Sequence, residues 1–246
     1  MRVQDGVGVG RIMAAADEVK QQVYGDRIVL SAPLHISNHC GSECLYCANR
    51  KSNKAVERKY MTSPEMREAA LKLIRQGHKR IFLVSGQLPN ADIEYLAEAI
   101  SILYTAFDGV GEVHSVNVNV GALESHEYAA LLESYVGTVL IYQDTYHEAS
   151  YRAAHISGPK SDYYARLNAA DVAFQAGVPD VGGGLMLGLG PWQYDLLGIV
   201  QHQAHLLRAY DTGCRTLSLH RMRCAPGSNM QTPYPVSDAD YLRCVA

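Results

Sequence analysis

Apolar residues along this chain recur with two periods. Short runs of branched and apolar residues, bounded by Gly, Asn or Asp, predict strands at 33–37 (PLHIS), 80–85 (RIFLVS), 113–119 (VHSVNVN), 138–143 (TVLIYQ), 181–187 (VGGGLML) and 216–221 (TLSLHR). Between them, apolar positions three and four residues apart predict amphipathic helices at 63–77, 90–107, 124–135, 160–177 and 191–210. The first of these opens with Ser63 as N-cap, Pro64 in the first turn and Glu65 close behind, and it closes on Gly77. Residues 1–27 read as a helical lead-in, and the last segment, SDADYLRCVA, as part of a helix.

Strand and helix alternating in this way argue for parallel βα units with right-handed crossovers, curled into a barrel or laid out as a doubly wound sheet. A complete eightfold barrel takes about 250 residues. Here the sixth strand candidate ends only at residue 221 of 246. The expected fold is therefore α/β, a partial (β/α)6-type TIM barrel open on one side. Residues 1–27 would be its lead-in and 28–246 the barrel, with the last barrel strands and any C-terminal extension absent.

Composition narrows the function. Apolar residues make up 48% of the chain, enough for a sizeable core, and a net charge of -3 gives no reason to expect a nucleic-acid partner. No apolar run reaches the roughly 18 residues of a membrane span, and the N-terminus lacks a signal-peptide core, so a cytoplasmic protein is expected. Six cysteines in 246 residues are too sparse for a disulfide scaffold. Cys214, Cys224 and Cys244 read as buried or incidental thiols.

The other three sit together in HISNHCGSECLYCANRKSN (35–53), as Cys40, Cys44 and Cys47. The run follows the first strand candidate, which puts it on the first βα loop, at the barrel end where active sites gather. A structural zinc site would need a fourth ligand, for which His35 or His39 stand nearby, but such sites usually pair two ligands with two more. A Cys-x3-Cys-x2-Cys loop also suits a 4Fe–4S cluster with one iron left without a protein ligand.

That spacing, with Tyr46 directly before the last cysteine, resembles the signature of the radical S-adenosylmethionine (SAM) superfamily. Further stretches resemble one branch of it, the tyrosine lyases: APLHISNHC to RKSN (32–53), GHKRIFLVSG (77–86), VNVNVGA (116–122), YQDTYHEASY (142–151), HISGPKSDYYARL (155–167) and DVGGGLMLGL (180–189). That branch includes the thiazole-synthesis enzyme of thiamine (2-iminoacetate synthase) and a maturase of the iron–iron hydrogenase, and the HISGPKSDY stretch is closer to the maturase. The resemblance implies a 4Fe–4S cluster whose open iron chelates SAM, and a 5′-deoxyadenosyl radical. It implies cleavage of the Cα–Cβ bond of L-tyrosine to p-cresol and dehydroglycine. It also implies an electron donor such as flavodoxin or ferredoxin, and maturation partner proteins.

By position, the resemblance assigns Cys40, Cys44 and Cys47 to the cluster and Tyr46 to the adenine. Ser85, Gly86 and Gln87 would hold the SAM amino group. Asn117, Asn119, Gln143 and Asp144 would face SAM or substrate, Arg166 the SAM carboxylate, and Arg221 and Arg223 the substrate carboxylate. Each has a plainer reading: Gln143 and Asp144 as helix caps, and Arg166, Arg221 and Arg223 as solvated charges. The run GGGLMLGLG lacks a Walker lysine and reads as a strand in a crowded place. His202 and His205 read as ordinary helix decoration.

The chain also departs from the family pattern. Ala48 and Asn49 replace Gly and an aromatic, Ser85 and Gln87 stand for glutamates, Asp144 for Glu, and His220 and Cys224 for prolines. Two alternatives follow: a radical SAM enzyme acting on another small substrate, or a cluster-binding homologue that does no chemistry.

Overall fold

Val116 and Val118 point one way from their strand and Ser115, Asn117 and Asn119 the other, and this alternation organises the molecule. The structure, a computed structural model, describes residues 6–87, 93–107, 109, 111–228 and 230–246. Its elements run α1 (Gly6–Tyr24), β1 (Ala32–His35), β2 (Glu43–Cys44), α2 (Ser63–Arg75), β3 (Arg80–Val84), α3 (Ile93–Thr105), β4 (Ser115–Asn119) and α4 (Ser125–Glu133). They continue with β5 (Val139–Leu140), α5 (Glu148–Ala154), β6 (His155–Ser157), α6 (Tyr163–Gln175), β7 (Val181–Leu187), α7 (Trp192–Tyr210), β8 (Thr216–Arg221) and α8 (Asp238–Val245).

Among the described residues, six strands lie side by side in the order β1-β3-β4-β5-β7-β8, every pair parallel. Spatial order follows chain order, so the sheet winds in one direction and curls into a half-barrel. One set of alternating residues (Ile81, Leu83, Val116, Val118, Val139) packs with Met66, Ile100, Leu103, Tyr128 and Leu131 of the covering helices in a single core. The other set faces the barrel interior. There β7 uses its glycines to make room: a Cβ at Gly182 would press on Leu140, and one at Gly184 would collide with the ring of Tyr142. The Gly-rich run is thus a strand, crowded by the large inward side chains of its neighbour.

All six strand candidates are present; β5 pairs regularly only at Val139–Leu140, while single backbone bonds to β7 continue at Ile141 and Asp144. The cap of α2 is Thr62 rather than Ser63; the Glu65 carboxylate accepts the Thr62 amide at 2.8 Å, closing the capping box one residue earlier. Two features had no expectation: helix α5, and an antiparallel ribbon of β2 with β6. Both are too short to show a period. The expected start of the third helix at 90–92, and of the lead-in at 1–5, lies outside the described residues. No helix among the described residues is long and apolar enough to cross a membrane.

Candidate functional site

The cysteine loop leaves β1 and is tied down on every side. From β3, Gly86 donates its amide to Ser37 (3.2 Å), and the Gln87 carbonyl receives the Gly41 amide (2.5 Å). A Cβ at Gly86 would collide with the His39 carbonyl, so strand end and loop touch backbone to backbone. From the far side, β2 pairs with β6, Leu45 donates to Ala154 (2.9 Å), and the Lys160 amide donates to the Ser42 hydroxyl (3.0 Å). From beneath, the Arg58 guanidinium donates to four carbonyls of the loop region, Asn38, Asn49, Arg50 and Asn53, at 2.5–3.1 Å. Charge-assisted bonds of this kind hold an irregular loop firmly. Arg58 carries no motif, and only its place shortly after a polar loop hinted at the role.

The loop encloses one side of a cavity of about 430 Å³. Cys40, Cys44 and Cys47 all line it, and His35 and His39 do not. His39 instead stacks on Tyr60 at 4.3 Å. Burial pushes the Cys44 thiol up to about 12 and raises Cys47 as well. Both are therefore protonated at neutral pH until a metal displaces the proton. Among the described residues no three His, Cys, Asp or Glu side chains are grouped to hold a single metal ion. A cubane attached through three different irons needs a wider triangle of thiols, and three thiols on one cavity wall, Cys44 buried and Cys40 and Cys47 half-buried, fit it.

Most of the expected ligand-side residues converge here. Tyr46, Ser85, Gly86, Gln87, Asn119, Asp144 and Arg166 all line the cavity. Tyr46 is buried, its hydroxyl 2.9 Å from His155 Nε2. Arg166 is buried rather than solvated. Its Nε donates to the Tyr142 carbonyl at 2.6 Å and Nη1 to Val120 at 3.3 Å, which directs the guanidinium to the mouth of the strands. It reaches there from α6, whose N-cap Asp162 accepts the amides of Tyr164 (3.0 Å) and Ala165 (2.9 Å). Asp162→Ala is expected to cost about 1 kcal/mol of stability by loosening the first turn before Arg166, which urea unfolding checks.

Other residues lie elsewhere. Asn117 sits one layer below the cavity, where its Oδ1 accepts the Thr138 amide (3.0 Å) and the Ser115 hydroxyl (3.1 Å). Gln143 is buried beneath it, and its Oε1 has no hydrogen-bond partner among the described residues. Arg221 pairs with Asp238 and lies over the Tyr241 ring (5.3 Å), and Arg223 is exposed. Neither arginine lines the cavity. His202 and His205 lie on the outer face. His202 bonds the Tyr146 hydroxyl (2.8 Å) and His205 the Asp171 carboxylate (2.6 Å).

Lys160 was not singled out by position. It lines the cavity, and its ammonium pairs with Asp144 at 2.5 Å and reaches the Tyr46 hydroxyl at 3.4 Å. His155 stands 3.7 Å from the same carboxylate. The left-handed backbone at Asp144 turns its side chain inward, a conformation Asp tolerates better than most residues. Burial opposes ionisation of Asp144, but Lys160 and then His155 outweigh it and hold the carboxyl well below its ordinary 3.8. A depressed carboxyl contributes stability that is present above its ordinary value and is lost as the pH falls below it. The stability gap between the wild-type apoprotein and Asp144→Asn is therefore expected to narrow below pH 3.8; a gap in urea midpoints that stays constant down to pH 2.5, roughly one unit lower, would contradict this.

The chain matches the radical SAM superfamily over residues 34–193. It is 28% identical over 214 residues to 2-iminoacetate synthase of Escherichia coli K12, covering 86% of this chain and 55% of that protein. A crystal structure of HydG, a maturase of the FeFe-hydrogenase, superposes with a TM-score of 0.94 at 35% identity, covering 99% of this chain and 54% of that one. HydG from Carboxydothermus hydrogenoformans gives 0.92 at 34%, covering 98% and 56%. The chain thus spans about half the length of the relatives it matches.

Proposed function

This chain belongs to the radical SAM superfamily, and from that premise we propose that it is a carbon–carbon lyase acting on L-tyrosine, releasing p-cresol and dehydroglycine. The observation that carries the reading is the convergence on one cavity of three thiols, Tyr46, the end of β3 and Arg166, in a fold similar to HydG. When bound, the cluster and SAM supply one electron and a 5′-deoxyadenosyl radical.

The chain's own residues bind, orient and exclude water. Cys40, Cys44 and Cys47 would hold three irons. Ser85, Gly86, Gln87 and Asn119 present polar groups from adjacent strand ends, and the Arg166 guanidinium suits a carboxylate. The buried Tyr46, clamped by His155, forms a rigid wall for a planar base. Positioning of this kind is the protein's main contribution when a cofactor carries the hard chemistry.

Gln87 favours a second reading. An amide, not a carboxylate, faces the cavity at that strand end, and its Oε1 lies 3.4 Å from the Ser42 hydroxyl. A neutral group there suits a radical SAM enzyme with another small substrate. Anaerobic reconstitution followed by reduction with SAM and tyrosine separates the readings. Release of p-cresol supports the lyase. 5′-Deoxyadenosine without p-cresol supports the second reading, and a cluster that never cleaves SAM leaves a cluster-binding homologue. Dependence on a flavodoxin or ferredoxin can be tested in the same assay.

A further inference from the structure

We propose that Lys160 and Asp144 are an opposed pair of charges that sets the reduction potential of the cluster held by Cys40, Cys44 and Cys47. The inference rests on the cluster reading and goes beyond it. Lys160 and Asp144 line the same cavity as the three thiols and pair at 2.5 Å, with side chains only 16% and 5% exposed.

The position of Lys160 is fixed relative to the cysteine loop. Its amide donates to Ser42, its carbonyl accepts the Tyr151 hydroxyl at 2.6 Å, and its ammonium approaches Tyr46, the residue directly before Cys47. The surrounding groups hold the pair in place. The His155 ring lies 2.8 Å from the Tyr151 carbonyl through Nδ1, and its Nε2 stands 2.9 Å from the Tyr46 hydroxyl and 3.7 Å from Asp144. Both charges thus face the cavity that the three thiols line.

A one-electron donor of low potential, oxidised in the step, makes the cluster more negative by one charge. In a cavity with little water, a fixed ammonium favours that change and a fixed carboxylate resists it. Removing one member exposes the full effect of the other. Removing both restores near-neutrality.

The test is an EPR-monitored redox titration of anaerobically reconstituted protein without SAM, at pH 8. Lys160→Met is expected to lower the reduced-to-oxidised ratio at the wild-type midpoint by about tenfold, or about 59 mV. Asp144→Asn is expected to raise it by a similar factor. The double variant should return close to wild type, and Lys160→Arg should match wild type. If Lys160→Met does not load iron, the upward shift of Asp144→Asn still decides the sign. Single variants that shift in the same direction, or potentials that all coincide, would overturn the proposal while leaving the cluster reading intact. A wild-type protein that takes up no iron overturns both.

Discussion

Replacing any one of Cys40, Cys44 and Cys47 by alanine is expected to abolish cluster loading and, with it, formation of 5′-deoxyadenosine. The three thiols have no substitutes. The other cysteines, Cys214, Cys224 and Cys244, do not line the cavity, and neither does His35 or His39. A cluster attached at two irons would be left open to loss. The loop is held by bonds from Arg58, β3 and β6 that the thiols do not make, so the variants should keep their fold. The expected result is near-wild-type urea unfolding of the apoprotein with iron content close to zero after reconstitution. Serine in the same positions should fare little better, because an alkoxide is far harder to form than a thiolate. Alanine variants that retain four irons per chain would show that the cluster sits elsewhere.

Gly158→Ala is expected to have the largest effect of any change outside the thiols. Gly158 has φ 87° and ψ -175°, a region essentially confined to glycine, and a side chain there costs about 1–3 kcal/mol in strain. Its Cβ would also collide with the Gly41 carbonyl and Ser42 Cα, both backbone atoms of the cysteine loop. Overpacking of that kind adds about 1–3 kcal/mol. Relief requires β6 and the Pro159–Ser161 turn to withdraw from the loop. That movement would carry away Lys160 and the amide that bonds Ser42. Gly77→Ala is the control. It has a similar φ of 89° but nothing within 4 Å of the added carbon, so it bears the strain without the collision. Both variants should be destabilised, Gly158→Ala by the larger amount, and only Gly158→Ala should load less iron. Equal iron content in the two would show that the β2–β6 clamp is irrelevant to the site.

The parallel half-barrel was legible because its strands are bounded by turn residues and its helices carry a clear apolar period, as in α2 and α3. The cysteine loop was legible because metal chemistry demands particular residues at short spacing. Asn117 and Asn119 show where that legibility ends. Alternation placed both on the inward face, but depth within the barrel separates them: Asn119 reaches the cavity while Asn117 bonds the adjacent backbone. Arg166 and Arg221 show the same limit for charges. Both could be solvated, yet α6 carries Arg166 into the interior while Asp238 draws Arg221 towards α8. Lys160, His155 and Arg58 escape a local reading because the contacts that define their roles reach as far as 118 residues along the sequence.

The most direct measurement is EPR of the reduced, anaerobically reconstituted protein before and after addition of SAM. The expected result is a 4Fe–4S signal that shifts when SAM is added, because one iron has no protein ligand and accepts it. A signal that stays unchanged at saturating SAM, or a protein that binds one zinc and no iron, would contradict the assignment.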